Sequence, residues 1–304
     1  MPRSCFFLIL LYAAPAIAAD GGAPPWWLWP LALFAVSFVI GIFAVLAGVG
    51  GGVLFVPIVG SFFPFHLDFV RGAGLLLALS GALSAGPALL RSGLASLRLG
   101  LPLALAGSIT SIGGALLGLA LPGGVLYSAL GVTILAIAVL MWRAKRSEHP
   151  DVPSPDPLGW ALGMHGVYHD PASGRDVPWQ VHRTPAAFAA FAGIGVLAGM
   201  FGLGAGWANV PVFNLLMGVP LKLSIGTSGF LLSVVDTAAA WIYVNRGAVL
   251  PMLVAPSIIG VMLGAKIGVR LLRVTAARTV RVVVIVLLLV AGARALLKGL
   301  GLWS

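Results

Sequence analysis

Few residues in this sequence can do chemistry inside an apolar medium, and they gather around two glycine-rich interruptions. The first reads Gly48-Val49-Gly50-Gly51-Gly52 and closes on Val56-Pro57. The second reads Gly202-Leu203-Gly204-Ala205-Gly206 and closes on Val210-Pro211. Glycine releases the backbone from helical geometry, and within hydrocarbon the freed N–H and C=O groups must find partners. Where such a break opens a short helix, its free N–H groups and its dipole can hold an anion. With no side chain in the way, the ligand can approach the main chain closely. Gly50, Gly51, Gly52, Gly204 and Gly206, bounded by Pro57 and Pro211, are therefore the candidate binding residues. Tight helix packing through small residues would explain the same glycines.

Side chains near the second interruption add neutral donors. Asn209, Thr227 and Ser228 can each give a hydrogen bond to an oxyanion. Their counterparts in the first half, Phe55, Ala73 and Gly74, cannot. Bonding between helices, worth about 0.6 kcal/mol on average in membranes, is the competing role. Asp236 is the one acid well inside an apolar run. A carboxylate is costly there, so it reads either as a carrier of a coupling proton or as a protonated group bonded to a neighbouring helix. Lys266 lies one turn from Arg270 at the end of its run, where it either snorkels to the surface or attracts an anion.

Metal and catalytic chemistry find little support. Cys5 is the only cysteine, and no carboxylate set completes His165, His169 and His182 as a metal site. There is no nucleophile–base motif and no phosphate loop. The expectation is a protein without cofactor or metal that is not an enzyme.

The surroundings of these residues explain why they stand out. Of 304 residues, 60% are hydrophobic and 9% charged, and the mean hydropathy is +1.08. Soluble domains carry about 25% charged residues, so this is a polytopic membrane protein. The net charge of +10 comes from Lys and Arg at the ends of apolar runs. Those positions serve orientation rather than nucleic-acid binding. The expected partners are a small anion and the lipid bilayer; a homo-oligomer is compatible with the sequence.

Residues 1–19 have Arg3, an apolar core and Ala16-Ile17-Ala18, the grammar of a signal peptide; an uncleaved first helix is the alternative. Tryptophans 26, 27 and 29 then mark an outer interface. Apolar runs cover about 31–47, 53–63, 69–90, 98–120 and 123–142, then 186–201, 207–217, 223–244, 249–270 and 280–297; the second of each set is too short to cross alone. The two sets align without a gap at an offset of 154: Gly41 with Gly195, Gly52 with Gly206, Pro57 with Pro211, Gly72 with Gly226, Pro102 with Pro256. That register implies an internal duplication.

If each short segment turns the chain back, the basic residues sort by side. Arg91, Arg98, Arg143, Lys145, Arg146, Arg175, Arg183, Lys222, Arg270, Arg273, Arg278 and Arg281 fall inside. Arg71, Arg246, Arg294 and Lys298 fall outside. This fits the positive-inside rule, and an odd number of elements per half makes the second repeat inverted. The fold expected is an all-α membrane protein of two inverted repeats, residues 20–142 and 186–304. Each has about four spanning helices plus a short broken or re-entrant helix. Residues 143–185 form a cytoplasmic connector whose pattern, Gly163 to His169 and Val177 to His182 about Ser173-Gly174, reads as a β-hairpin.

The duplicated break ending in Val-Pro resembles the sulfite exporter family of the TauE/SafE type. So do Gly226-Thr227-Ser228 and the run Leu263-Gly264-Ala265-Lys266-Ile267-Gly268-Val269-Arg270-Leu271. The resemblance covers about residues 31–142 and 186–298. It implies a secondary transporter moving sulfite, sulfonates or related organic anions across a bacterial inner membrane, often outward. A passive anion channel or a membrane sensor without turnover is the alternative. Ala73-Gly74, where the second half has Thr227-Ser228, departs from the family pattern and bears on the substrate.

Overall fold

Proline and glycine cut the apolar sequence into helices, and the cuts recur at the same places in both halves. In the computed structural model the described residues are 25, 27–47, 50–91, 93–143, 150, 152, 154–170, 175–204, 206–271 and 277–302. Residues 1–19, the Ser173-Gly174 turn, and Gly48, Val49 and Ala205 of the breaks lie outside them. The first half has α1 (Leu28–Ala47), α2 (Gly51–Phe62), α3 (Leu67–Arg91), α4 (Leu97–Ala120) and α5 (Gly123–Arg143). A short α6 (Pro157–Ala161) and strands β1 (His165–Asp170) and β2 (Arg175–Gln180) follow. The second half has α7 (Thr184–Phe201), α8 (Gly206–Pro211) with a π turn at Val212–Leu216, α9 (Leu221–Asn245), α10 (Pro251–Leu271) and α11 (Ala277–Gly299). Helices α3 and α9 begin and end 154 residues apart (67 and 221, 91 and 245), and the starts of α4 and α10, and of α5 and α11, keep the same offset.

The local chemistry accounts for several of these ends. Ser96 caps α4 by accepting from the Leu99 N–H at 3.3 Å. A proline in the first turn starts α7, and Gly202 stops it at φ 68° while its N–H returns to Ala198 O at 2.9 Å. Among the described residues five helices are long and apolar enough to cross a membrane: α4, α5, α7, α9 and α10 up to Gly268. Helix α3 is of comparable length, with Asp68 and Arg71 near its start, Arg91 at its end and an uncharged apolar stretch between them.

Small residues let the two halves approach backbone to backbone. Along α4 and α7, Gly107 faces Phe191, Gly114 faces Val196 and Gly118 faces Met200, so these helices run parallel. Along α1 and α10, Gly260 faces Phe34 and Gly264 faces Phe38, again parallel. Helices α3 and α9 meet antiparallel, with Gly72 against Ala248, and α5 meets α11 the same way, with Gly131 against Leu296.

Both short segments turn the chain back. The Trp29 ring, at the start of α1, lies 6.0 Å from Phe63 and 5.8 Å from Phe65, just beyond the end of α2. In the second half the His182 N–H, before α7, donates to Met217 O, after the π turn, at 3.2 Å. Strands β1 and β2 pair antiparallel from His165 with Gln180 to Asp170 with Arg175. Met164, Tyr168, Trp179 and Val181 of this connector are buried in one cluster with Phe213, Met217 and Val219, so it packs over the returning end of the second hairpin.

The side chain of Arg71, expected toward the outer side of the membrane with Arg246, Arg294 and Lys298, is fully buried. It sits one turn into α3 beneath the other half of the molecule, and hydropathy alone does not separate a lipid-facing position from an inward one.

Candidate functional site

The candidate site lies where the two breaks approach each other. Gly50 precedes α2 with extended backbone (φ −55°, ψ 147°) and no side-chain cap. Its carbonyl accepts from the Val53 N–H at 3.2 Å. The N–H groups of Gly51 and Gly52, which precede Val53 in the first turn, have no acceptor within the helix. Beyond α7, Gly202 and Gly204 adopt φ 68° and 70°, a region open to glycine at little cost. This steers the chain into α8 at Gly206.

The glycines then interlock. A Cβ on Gly206 would lie 3.3 Å from the Gly50 nitrogen, and one on Gly52 would lie 2.7 Å from Leu203 O and 2.8 Å from Gly74 O. Gly51 looks toward Val261 of α10 at 3.6 Å, whereas a Cβ on Gly50 would meet nothing within 4 Å. Gly52 is thus a packing glycine between the breaks, while Gly50 faces open space.

Two polar side chains reach this junction or lie beside it. The Asp236 carboxylate is fully buried on α9, and its Oδ2 lies 3.1 Å from where a Cβ on Gly204 would stand. Asn209, in the first turn of α8, is also fully buried, and neither its Oδ1 nor its Nδ2 has a hydrogen-bond partner among the described residues. A buried amide with nothing to bond costs about 1–3 kcal/mol, which is unusual without a purpose. Pro57 lies buried inside α2, and Pro211 joins α8 to the π turn.

Other expected site residues are placed elsewhere. Thr227 Oγ1 accepts from the Ser96 N–H at 3.1 Å, and its methyl packs toward Gly100 at the start of α4. Thr227 is nine residues from Asp236, about 14 Å along the helix at its normal rise, and Ser228 is buried beside it. Lys266 is exposed on α10. Asn214 donates to Val219 O at 2.9 Å and holds the end of the π turn. His165 stacks on Trp160 at 4.1 Å.

Sequence reasoning missed a buried polar group beside the second break. Arg71 pairs with Asp68, donates from Nη1 to Met200 O at 2.7 Å and lies 5.5 Å from the Tyr243 ring centroid. Tyr243 itself donates to Gly199 O at 2.9 Å. The available signal was the Asp68–Arg71 spacing of three on a helix that is otherwise apolar.

The family model for "Sulfite exporter TauE/SafE" matches residues 33–295. The chain belongs to the TauE/SafE family. The match takes in both breaks, both hairpins and the connector. No curated protein and no solved structure matches the chain. As a TauE/SafE protein with five candidate spans, it is a multi-pass membrane protein of a transporter family.

Proposed function

We propose that this TauE/SafE protein is a secondary transporter of small sulfur oxyanions, sulfite or an organosulfonate such as sulfoacetate. It would export them across a bacterial inner membrane by alternating access between two inverted repeats. The observation that supports this reading is the approach of Gly206 to Gly50, which brings the two breaks side by side. Helix α2 has 12 residues and α8 with its π turn spans 206–216. At 1.5 Å per residue these are about 18 and 16 Å, together about 34 Å and enough to span the roughly 30 Å of a hydrocarbon core. If the hairpins enter from opposite faces, the breaks meet near mid-depth. The parallel pairing of α1 with α10 and of α4 with α7 supports that arrangement.

The anion would sit against the main chain at Gly50 and the free amide of Asn209. Asp236, beside Gly204, would carry a proton coupled to the anion. Counterflow of radiolabelled sulfite, sulfoacetate and sulfate in proteoliposomes tests the function. A carrier saturates and shows counterflow with sulfite or a sulfonate; unsaturating leak of every anion would make the protein a channel, and no flux would reject both. Asp236→Asn should flatten the pH dependence of uptake while sulfite is still exchanged. A pH profile matching the parent protein would remove Asp236 from coupling.

A further inference from the structure

We infer that Arg71 is a positioning residue for the second break, acting from the opposite half of the chain by capping the broken end of α7. The last carbonyls of a helix have no intrahelical donor, and the negative end of its dipole favours a cation. At the end of α7 those carbonyls are met from outside the helix. Arg71 Nη1 donates to Met200 O at 2.7 Å, and the Tyr243 hydroxyl donates to Gly199 O at 2.9 Å and to Met200 O at 3.3 Å. The backbone carries the same grip two residues further, because a Cβ on Gly202 would run into the Arg71 carbonyl. Gly118 of α4 leaves room for the guanidinium, a Cβ there falling 2.6 Å from Nη1.

The arrangement is specific to one break. The position 154 residues after Arg71 is Ile225, and that after Asp68 is Lys222, so the duplication did not copy the pair. Asp68 offsets the guanidinium charge, so Arg71 contributes directed hydrogen bonds more than net field. Its bonds join α3 to α7, and Tyr243 joins α9 to α7. These contacts fix where α7 ends and therefore where Gly202, Gly204 and Gly206 begin their turn toward Gly50.

The transport arm of the test rests on the function proposed above, and an exchange arm does not. Arg71→Met, Arg71→Lys and Tyr243→Phe are compared with the parent protein in nanodiscs by amide hydrogen exchange and by sulfite uptake. A lost hydrogen bond from a charged group predicts about ten-fold faster exchange over residues 199–211 in Arg71→Met. Exchange in α10 should stay unchanged, Arg71→Lys should recover part of the protection, and Tyr243→Phe should lose less. Sulfite KM should rise about ten-fold in Arg71→Met with kcat nearly kept, as expected for lost positioning rather than lost chemistry. Unchanged exchange over 199–211, or acceleration spread evenly over all helices, overturns the inference. Should Arg71→Met fail to fold, Arg71→Lys and Tyr243→Phe decide by the same two readings. If the parent protein moves no sulfite, the proposed function fails and the exchange arm alone decides the role of Arg71.

Discussion

Gly50 and Gly52 look alike in the sequence and are opposite in the structure. A methyl on Gly52 would press on two backbone oxygens at 2.7 and 2.8 Å, which cannot swing aside as a side-chain tip can. Gly52→Ala should therefore lower stability by about 1–3 kcal/mol, read as a shift of the thermal midpoint. A methyl on Gly50 meets open space, and its φ of −55° suits any L-residue. On packing grounds Gly50→Ala costs less than about 0.5 kcal/mol. If an anion rests on the Gly50 main chain, the same change raises sulfite KM several-fold without moving the thermal midpoint. Uptake identical to the parent protein would take Gly50 out of the site. Asn209 offers the complementary test. Replacing a buried amide that lacks partners with an apolar side chain removes a cost of about 1–3 kcal/mol. Asn209→Leu should raise the thermal midpoint and abolish sulfite uptake, a trade of function for stability. A stabilised variant that still transports would make Asn209 dispensable to binding.

At the scale of elements, the sequence was informative wherever backbone chemistry sets the boundary. Glycine and proline placed both breaks, and an offset of 154 carried the ends of α3 onto those of α9 without adjustment. Side-chain commitments were less legible, because they depend on what another helix brings. Thr227 looked like a free donor, but the start of α4 presents the Ser96 N–H to it. Arg71 counted in the sequence only as an outer-side charge, but the end of α7 presents carbonyls to it. The π turn after Pro211 was not legible at all. There the Met217 N–H reaches Val212 O at 3.0 Å, five residues back, and Asn214 closes the turn by donating to Val219 O. Gly60 stands at the matching position of the first half, where the helix continues regularly to Phe62. Asn214→Ala removes that donor and should cost about 1 kcal/mol of stability. Its preference among sulfite, sulfoacetate and sulfate should be unaltered in counterflow, since Asn214 serves the turn rather than the ligand. A change in anion preference with stability intact would move Asn214 into the site.

The whole molecule turns on which side each hairpin enters from. Three long helices, α3, α4 and α5, lie between the end of the first hairpin and the connector, and the proposed arrangement has each of them cross the membrane once. Three crossings put His66, just beyond α2, and Arg175, on β2, on opposite faces of the membrane. Both residues are exposed, His66 with 71% of its side chain open. In a Cys5→Ser background, His66→Cys should react with an impermeant maleimide added to intact cells. Arg175→Cys should react only after the membrane is opened, because the basic residues flanking the connector favour the cytoplasmic side. Labelling of both sites from outside would place the hairpins on one face. Two short segments of about 16–18 Å entering from the same face would reach the same depth side by side, leaving roughly half of a 30 Å core between the breaks and the far side. No exchange of access could then occur around Gly50 and Gly206. Opposite labelling keeps the breaks end to end across the full thickness, the geometry in which small movements of α1 with α10 against α4 with α7 can open one face while closing the other.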